Sequence, residues 1–428
     1  MTLVVIAFAV FVLMGMPVAF AIGISGLLFF AQHPYLPATT PIQLTVTQTQ
    51  NFALLAVPLF IIAGNFLNHS GITDRLLRLA TVLTGRLKGG LAQVTITLSA
   101  LMGGVSGSCI ADAAMQSRML GGEMIRRGFP RGYTAGIISW SSLLTPIIPP
   151  GIGFILFGTV GQVSIGQLFA AGILPALVLW AALAAAVAYT AQREGYPAAL
   201  AQRPAAREVG RAFYSSGWAI LFPIALLAGL RFGIFTPSEI GAFAVLYAVL
   251  VGWLAHRTLT RASSREALDG SMADIGAVMF LIAMSAIFGY GIVFERIPDA
   301  AATLMLGITE NPYAILALVV VLLVIGGMFV DGSILILMLT PILLPVAQRA
   351  GIDPVHFGVV FVIAATLSNF TPPVGAAMYA VCSILRCSVG EYTRASVPFM
   401  VAVLGAVGVL IALPGISLWL PELLFRSP

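Results

Sequence analysis

Two polar interruptions in otherwise apolar sequence carry the residues best suited to bind a solute. The first reads Val105-Ser106-Gly107-Ser108, and the second is Thr371-Pro372-Pro373. In a membrane-embedded helix, a glycine-rich or proline-containing break leaves backbone carbonyl and N–H groups without helical partners. The free carbonyl oxygens can replace the hydration shell of a sodium ion, and the free N–H groups suit a carboxylate. The breaks therefore predict sites for a cation and an organic anion.

The interruptions belong to a longer pattern that occurs twice. The only two Pro-Pro pairs are Pro149-Pro150 and Pro372-Pro373, and a Gly-Gly pair precedes each by 46 residues, at Gly103-Gly104 and Gly326-Gly327. The two blocks are 223 residues apart, about half the chain. Interrupted apolar segments at matching places in two halves are typical of transporters built from internal repeats. A lone Pro-Pro pair would indicate only a helix kink.

Acidic residues follow both glycine breaks. Asp112 and Asp331 lie within apolar runs, where a carboxylate is energetically costly and indicates function. For each, a ligand role is weighed against capping of a broken half-helix. Glu239 and Arg296 stand at the ends of apolar runs, where an interface position explains them without a functional role.

The residues at and beside the breaks form the candidate ion- and substrate-binding set: Ser106, Gly107, Ser108, Asp112, Pro149, Pro150, Gly327, Asp331, Ser333, Ser368, Thr371, Pro372 and Pro373. Within it, the candidate sodium ligands, chiefly through backbone carbonyls, are Ser106, Ser108, Gly327, Asp331, Ser368 and Thr371.

The composition places these residues in lipid. Of 428 residues, 59% are hydrophobic and 9% are charged, against roughly 25% charged in a soluble domain. Apolar stretches recur along the whole chain and predict on the order of 11–16 membrane-embedded helices or half-helices at ~20 residues per crossing. Residues 1–31 predict a retained first helix kinked at Pro17, and 213–255 predict two crossings. The arginine-bearing loops 192–212 and 256–274 then share one face, which the positive-inside rule makes cytoplasmic.

Several function classes are excluded by what the chain lacks. Lys88 is the only lysine and follows Leu87, so no phosphate-binding G-x-x-x-x-G-K-[ST] loop exists. The four histidines show no i,i+4 pair for a helical zinc site. The net charge of +5 is explained by the loops and does not indicate nucleic-acid binding. Gradient-driven passage of a solute, without a cofactor other than the coupling ion, is what remains.

The ordered motifs resemble the large membrane subunit of tripartite ATP-independent periplasmic (TRAP) transporters. They are FALLAVPLFIIAGNFLNHSGITDRL (52–76), GGVSGSCIADAA (103–114), TPIIPPGIGFILFG (145–158), GMFVDGS (327–333), TPILLP (340–345) and TPPVG (371–375). The resemblance implies an all-α polytopic protein of the bacterial inner membrane, with no enzymatic activity. It also implies sodium-coupled carboxylate import with two partners: a small four-helix membrane subunit on a separate chain and a periplasmic substrate-binding protein.

The implied architecture is two inverted repeats, each with a re-entrant helical hairpin, and a transport domain that moves elevator-fashion against a scaffold. The first repeat covers 1–200, with a hairpin at about 91–120 and a broken helix around 145–151. The second covers 201–428, with scaffold helices in 213–255, a hairpin at about 314–348 and a broken helix around 368–375.

Two residues depart from the family pattern, which commonly has serine at Gly151 and glycine at Ser368. Two other functions remain open. One is a one-component sodium/carboxylate symporter, which would need no binding protein. The other is an intramembrane serine protease, because Gly104-Val105-Ser106-Gly107 fits a G-x-S-G nucleophile turn, although that chemistry needs a nearby general base.

Overall fold

A computed structural model describes residues 2–200, 202–373 and 375–425. Val374, which belongs to the second Pro-Pro motif, lies outside the described residues. The described part of the chain forms helices and no strands, which confirms the predicted all-α class.

The helices of the first half are α1 (Thr2–Leu13), α2 (Val18–Gln32), α3 (Thr40–Thr49), α4 (Ala56–His69), α5 (Ile72–Thr84), α6 (Gly90–Gly103), α7 (Cys109–Gln116), α8 (Gly122–Arg126), α9 (Arg131–Ser141), α10 (Ile152–Gly161) and α11 (Ile165–Glu194). Those of the second half are α12 (Ala206–Ser215), α13 (Gly217–Arg231), α14 (Pro237–Leu250), α15 (Arg261–Phe294), α16 (Ile297–Ile308), α17 (Pro312–Gly327), α18 (Gly332–Arg349), α19 (Pro354–Leu367), α20 (Ala376–Leu385), α21 (Val389–Ala412) and α22 (Gly415–Phe425).

Many of these helices suit a membrane. Among the described residues, six are long and apolar enough to cross it, or up to eight spans if each of two bent helix pairs counts as one. Seven further apolar helices have only 10–17 residues, fewer than the ~20 needed to cross a bilayer. Short apolar helices in series are what interrupted crossings and re-entrant segments produce.

Four helices of the first half begin about 223 residues before four helices of the second half, which is the offset between the two sequence motifs. Adding 223 to the first residues of α6, α9, α10 and α11 gives 313, 354, 375 and 388, and α17, α19, α20 and α21 begin at Pro312, Pro354, Ala376 and Val389. The two halves of the chain therefore follow the same order of helices and breaks around the glycine and proline motifs.

Two boundaries differ from the sequence prediction. Residues 1–31 do not form one kinked helix but α1 and α2, because Gly15 takes a left-handed backbone conformation and Pro17 offers no N–H. The predicted loop 256–274 is helical from Arg261 onward, since Thr260 caps α15 by accepting a hydrogen bond from the Ser263 N–H. Its charges thus extend a membrane helix rather than fill a loop.

The helices around the breaks pack into two groups. In the first, which we call the α4–α15 group, α14 packs on α4, and α15 packs on both α2 and α4. In the second, the hairpin group, α6 packs on α9, and α17 and α18 pack on α19. The halves interlock within the hairpin group, because α7 packs on α20 and α10 packs on α18.

Candidate functional site: a cavity between the hairpin tips and the α4–α15 group

A cavity of about 470 Å³ is lined by residues of both the hairpin group and the α4–α15 group. The turn of the first hairpin contributes Ser106, Gly107 and Ser108, and the start of α18 contributes Asp331 and Ser333. Two breaks that lie more than 200 residues apart in sequence thus border one space. Its volume falls in the range of small-molecule sites.

The first tip is a tight turn, residues 104–108, between α6 and α7. Gly107 has a φ of +61°, and a Cβ there would lie 2.7 Å from the carbonyl oxygen of Pro150, so only glycine fits. Ser108 caps α7, because its Oγ accepts a hydrogen bond of 3.4 Å from the Ala111 N–H. The Ser106 Oγ is buried and has no hydrogen-bond partner among the described residues. A buried hydroxyl without a protein partner needs a partner of another kind, such as a water, an ion or a ligand atom.

The second tip lies between α17 and α18. Asp331 is the N-cap of α18 and accepts a hydrogen bond of 2.8 Å from the Ser333 N–H. It caps a half-helix, which is one of the two alternatives considered for it, and it borders the cavity, where a ligand role stays a prediction. Gly327 lies against Ser368, because a Cβ on Gly327 would be 2.2 Å from the Ser368 Cβ. The Ser368 Oγ is buried and, within the described chain, makes no hydrogen bond.

The two broken helices lie directly behind the tips. Thr371 donates long hydrogen bonds to the carbonyls of Leu367 (3.4 Å) and Ser368 (3.3 Å), so its hydroxyl stays within the break. Pro146 and Asn369, which are 223 residues apart, both border the cavity. The pairs Pro149-Pro150 and Pro372-Pro373 fall between the helical halves in each repeat of the motif, and none of the four prolines borders the cavity.

The structure also accounts for both departures from the family pattern. A Cβ on Gly151 would lie 1.9 Å from the carbonyl oxygen of Pro146, so serine does not fit this backbone. At the other break, Ser368 occupies the space that Gly327 leaves empty.

Asp112 is buried but does not border the cavity. Its carboxylate accepts hydrogen bonds from Ser99 Oγ (2.7 Å), Thr145 Oγ1 (3.0 Å) and Gln116 Nε2 (2.9 Å). The cap of α7 is Ser108 instead. Asp112 thus links both arms of the first hairpin to the break that follows α9. In this position it can fix the shape of the hairpin but does not contact a solute in the cavity.

Glu239 and Arg296 lie away from the cavity. Glu239 completes a capping box at the start of α14, where Thr236 N–H donates to its carboxylate at 2.7 Å. Arg296 precedes α16 as its N-cap in a left-handed conformation. Both residues thus lie at helix starts, and their placement at the membrane interface stays a prediction.

Five polar residues at the cavity are not among those predicted from the sequence. They are Asn65 and Asn68 on α4, Asp274 on α15, Thr366 on α19 and Asn369 at the second break. Asn65 and Asn68 are three residues apart in an apolar run, and that spacing puts them on one helix face. This spacing can be read from the sequence, whereas the charges that precede Asp274 predict a loop there.

An all-helical membrane protein with two interrupted helix pairs around one cavity belongs to the class of secondary transporters. The sequence matches the family described as Tripartite ATP-independent periplasmic transporter, DctM component, over residues 5–416. The chain belongs to this family, which confirms the resemblance found in its motifs. It is accordingly a multi-pass inner-membrane protein with a role in transport rather than catalysis.

Named relatives span nearly the whole chain. It is 32% identical over 426 residues to the C4-dicarboxylate TRAP transporter large permease protein DctM of Rhodobacter capsulatus, covering 96% of each chain. It is 31% identical to the isethionate TRAP transporter permease protein DctMQ of Oleidesulfovibrio alaskensis, covering 96% of this chain and 65% of that one. The fold also resembles the crystal structure of the Alcanivorax borkumensis YdaH transporter, with a TM-score of 0.64 at 15% identity, covering 91% and 90% of the two chains.

Proposed function

We propose that this chain couples the entry of sodium to the import of a small organic acid that a periplasmic binding protein delivers. The observation that carries the proposal is the meeting of two helix breaks at one cavity, which Ser106 and Asp331 both border. Among the described residues, the buried Ser106 Oγ and, behind the second tip, the buried Ser368 Oγ have no hydrogen-bond partner.

Sodium binding follows from the oxygen atoms at each break. The first tip offers the hydroxyls of Ser106 and Ser108 beside the carbonyls of the 104–108 turn. Behind the second tip, Ser368 lies against Gly327 and Gly332, and the Thr371 hydroxyl donates to the Ser368 carbonyl. These three candidate ligands, Gly327, Ser368 and Thr371, do not border the cavity themselves and would hold an ion behind it. Hard alkali cations take such oxygen ligands, and the breaks free the carbonyls that helices would otherwise use.

A substrate carboxylate fits at the start of α7. Cys109 and Ile110 border the cavity there, and their backbone N–H groups precede the one that Ser108 caps. Free N–H groups and the positive end of the helix dipole favour an anion. The relative named for C4-dicarboxylate supports a carboxylate as the transported group.

The motion we propose is an elevator. Two inverted repeats, 1–200 and 201–428, contribute the interlocked hairpin group, which moves as a block past a scaffold formed by the α4–α15 group with α1 and α13. The position of the cavity between the two groups supports this, because a solute held there can change sides when one group slides.

Two protein partners complete the proposal. The family description names a tripartite, periplasmic system, which supports a soluble binding protein. The DctMQ relative is matched over only 65% of its length, and its longer chain supports a small membrane subunit beside this one. We propose a four-helix protein for that role.

Uptake by liposomes tests the function. The chain is reconstituted with its small subunit, the binding protein is added outside, and sodium and proton gradients are imposed separately. We expect uptake of an organic acid only with an inward sodium gradient and all components present. Uptake without any ion gradient contradicts the proposal, and uptake driven by protons alone changes the coupling ion.

The alternative functions make different predictions. A one-component symporter would transport at the same rate without a binding protein. An intramembrane protease needs a base beside Ser106, yet within the described chain the Ser106 Oγ makes no hydrogen bond. Membership in a permease family also argues against that activity.

A further inference from the structure

The α4–α15 side of the cavity carries polar side chains that play no part in the proposed sodium sites. Asp274 borders the cavity, and within the described residues its one hydrogen bond is a long contact of 3.5 Å from the Asn65 Nδ2. Beside it, the Asn68 Oδ1 is buried and unpaired in the described part of the chain. This wall therefore presents hydrogen-bond acceptors to whatever fills the cavity.

The cavity lining contains no basic side chain among the described residues. Its two charged groups are the carboxylates of Asp274, in the α4–α15 group, and Asp331, in the hairpin group. Sodium ions bound at the hairpin tips neutralise charge on the Asp331 side only. A solute carboxylate turned toward Asp274 would meet a like charge without a compensating cation, which costs several-fold in affinity even at high effective dielectric.

We propose that Asp274 selects the substrate class: a monocarboxylate that carries a hydroxyl or ammonium group at its other end. The carboxylate faces the hairpin tips, and the donor group faces Asp274 and Asn68. This inference rests on the proposed function, and it names the kind of acid that the cavity accepts.

A carboxylate at position 274 discriminates between donor groups and anions in two ways. An ionised carboxylate can only accept hydrogen bonds, so it binds a donor group, and its negative charge repels an anion at the same place. An asparagine can turn its amide to serve either partner, so Asn65 and Asn68 tolerate both. A hydrogen bond to a charged group is worth roughly 10- to 100-fold in affinity, and the loss of that contact should change selectivity by a similar factor.

The test compares acids of matched length that differ only at one end. Membrane complex, this chain with its small subunit, is assayed in detergent for sodium-dependent binding of succinate, 4-hydroxybutyrate and 4-aminobutyrate, and of the corresponding six-carbon series. The binding protein is omitted because it imposes its own selection. We expect the hydroxy or amino acid to bind the wild type about tenfold or more tightly than the diacid.

The variants are Asp274→Asn and Asp274→Ser, with Asp269→Asn as the matched control. Asp269 lies on the same helix, pairs with Arg265 and does not border the cavity. Either Asp274 variant should bring the affinities for the diacid and the donor-bearing acid within about threefold of each other, and the control should keep the wild-type ratio.

Four outcomes decide the matter. A shift of preference toward the diacid in both Asp274 variants, absent in the control, supports the proposal. An unchanged ratio overturns it, and so does loss of sodium-dependent binding for all acids in a variant that melts like the wild type, since Asp274 would then serve a cation. If no acid binds the wild type in a sodium-dependent way, the proposed function itself fails.

Discussion

Gly327→Ala should damage the second hairpin through one defined contact. A Cβ on Gly327 would lie 2.2 Å from the Ser368 Cβ and 3.1 Å from its Cα. Non-bonded carbon atoms normally approach to ~3.5–4.0 Å. The hairpin tip and the broken helix must therefore separate by more than an ångström, or the turn that carries Asp331 must change shape.

The cost can be bounded. Overpacking of a well-packed interior costs about 1–3 kcal/mol, and the few tenths of a kcal/mol that alanine gains over glycine near a helix end offset little of it. For a chain of this length, 1–3 kcal/mol lowers the melting temperature by about 1–3 °C on the per-residue entropies of soluble proteins. Sodium-driven uptake should fall further, because displaced carbonyls no longer match the ion.

Gly326→Ala is the matched control, since its nearest neighbour would be Leu335 Cδ2 at an ordinary 3.6 Å. The double variant Gly327→Ala with Ser368→Gly removes the closest atom and should recover part of both melting temperature and uptake, which gives a positive coupling energy in a double-mutant cycle. Equal behaviour of the two alanine variants, or no recovery in the double variant, would refute the packing argument.

Three further predictions concern the carboxylates and the first break. Asp331→Asn should raise the sodium concentration for half-maximal uptake about tenfold or more, whereas Asp353→Asn, a change at another N-cap aspartate, should leave it unchanged; equal curves would show that Asp331 only caps α18. Asp112→Asn should lower thermal stability by about 1–3 kcal/mol because asparagine keeps only one acceptor oxygen for the three donors, with the sodium dependence retained; a shifted sodium curve at wild-type stability would make it a ligand instead. Gly151→Ser should reduce folded yield, because its Cβ would lie 1.9 Å from the Pro146 carbonyl, and a wild-type yield would contradict this.

The fold was predictable where sequence pattern and bilayer physics act together. Glycine and proline breaks in apolar runs have few solutions in lipid, so their repetition predicted the helix order around Gly103 and Gly326. The boundary at Arg261 was not predictable from charge alone. A helix can continue beyond the membrane wherever a cap such as Thr260 starts it, and a cluster of charges does not reveal that.

The site was predictable only in part, for a related reason. Residues at the breaks, such as Ser106 and Asp331, can be identified because they interrupt an apolar run in the sequence. The α4–α15 side of the cavity is built from unbroken helices, in which a few polar residues such as Asn65 and Asn68 leave the apolar run intact. Asn65 and Asp274 come together only through the packing of α4 on α15, and no local pattern encodes that contact.

The two halves of the chain have the same order of helices and breaks but different side chains at the hairpin tips. Ser108 and Asp331 are 223 residues apart and each caps the second arm of its hairpin, so the tip charge exists in one half only. Conversely, the residue 223 after Asp112 is Leu335, and a buried polar cluster in the first hairpin becomes apolar packing in the second. One tip carries a carboxylate and the other only hydroxyls, so the two proposed ion sites would differ in charge. We expect that difference to give the cavity a direction along which an acid with two different ends can be aligned.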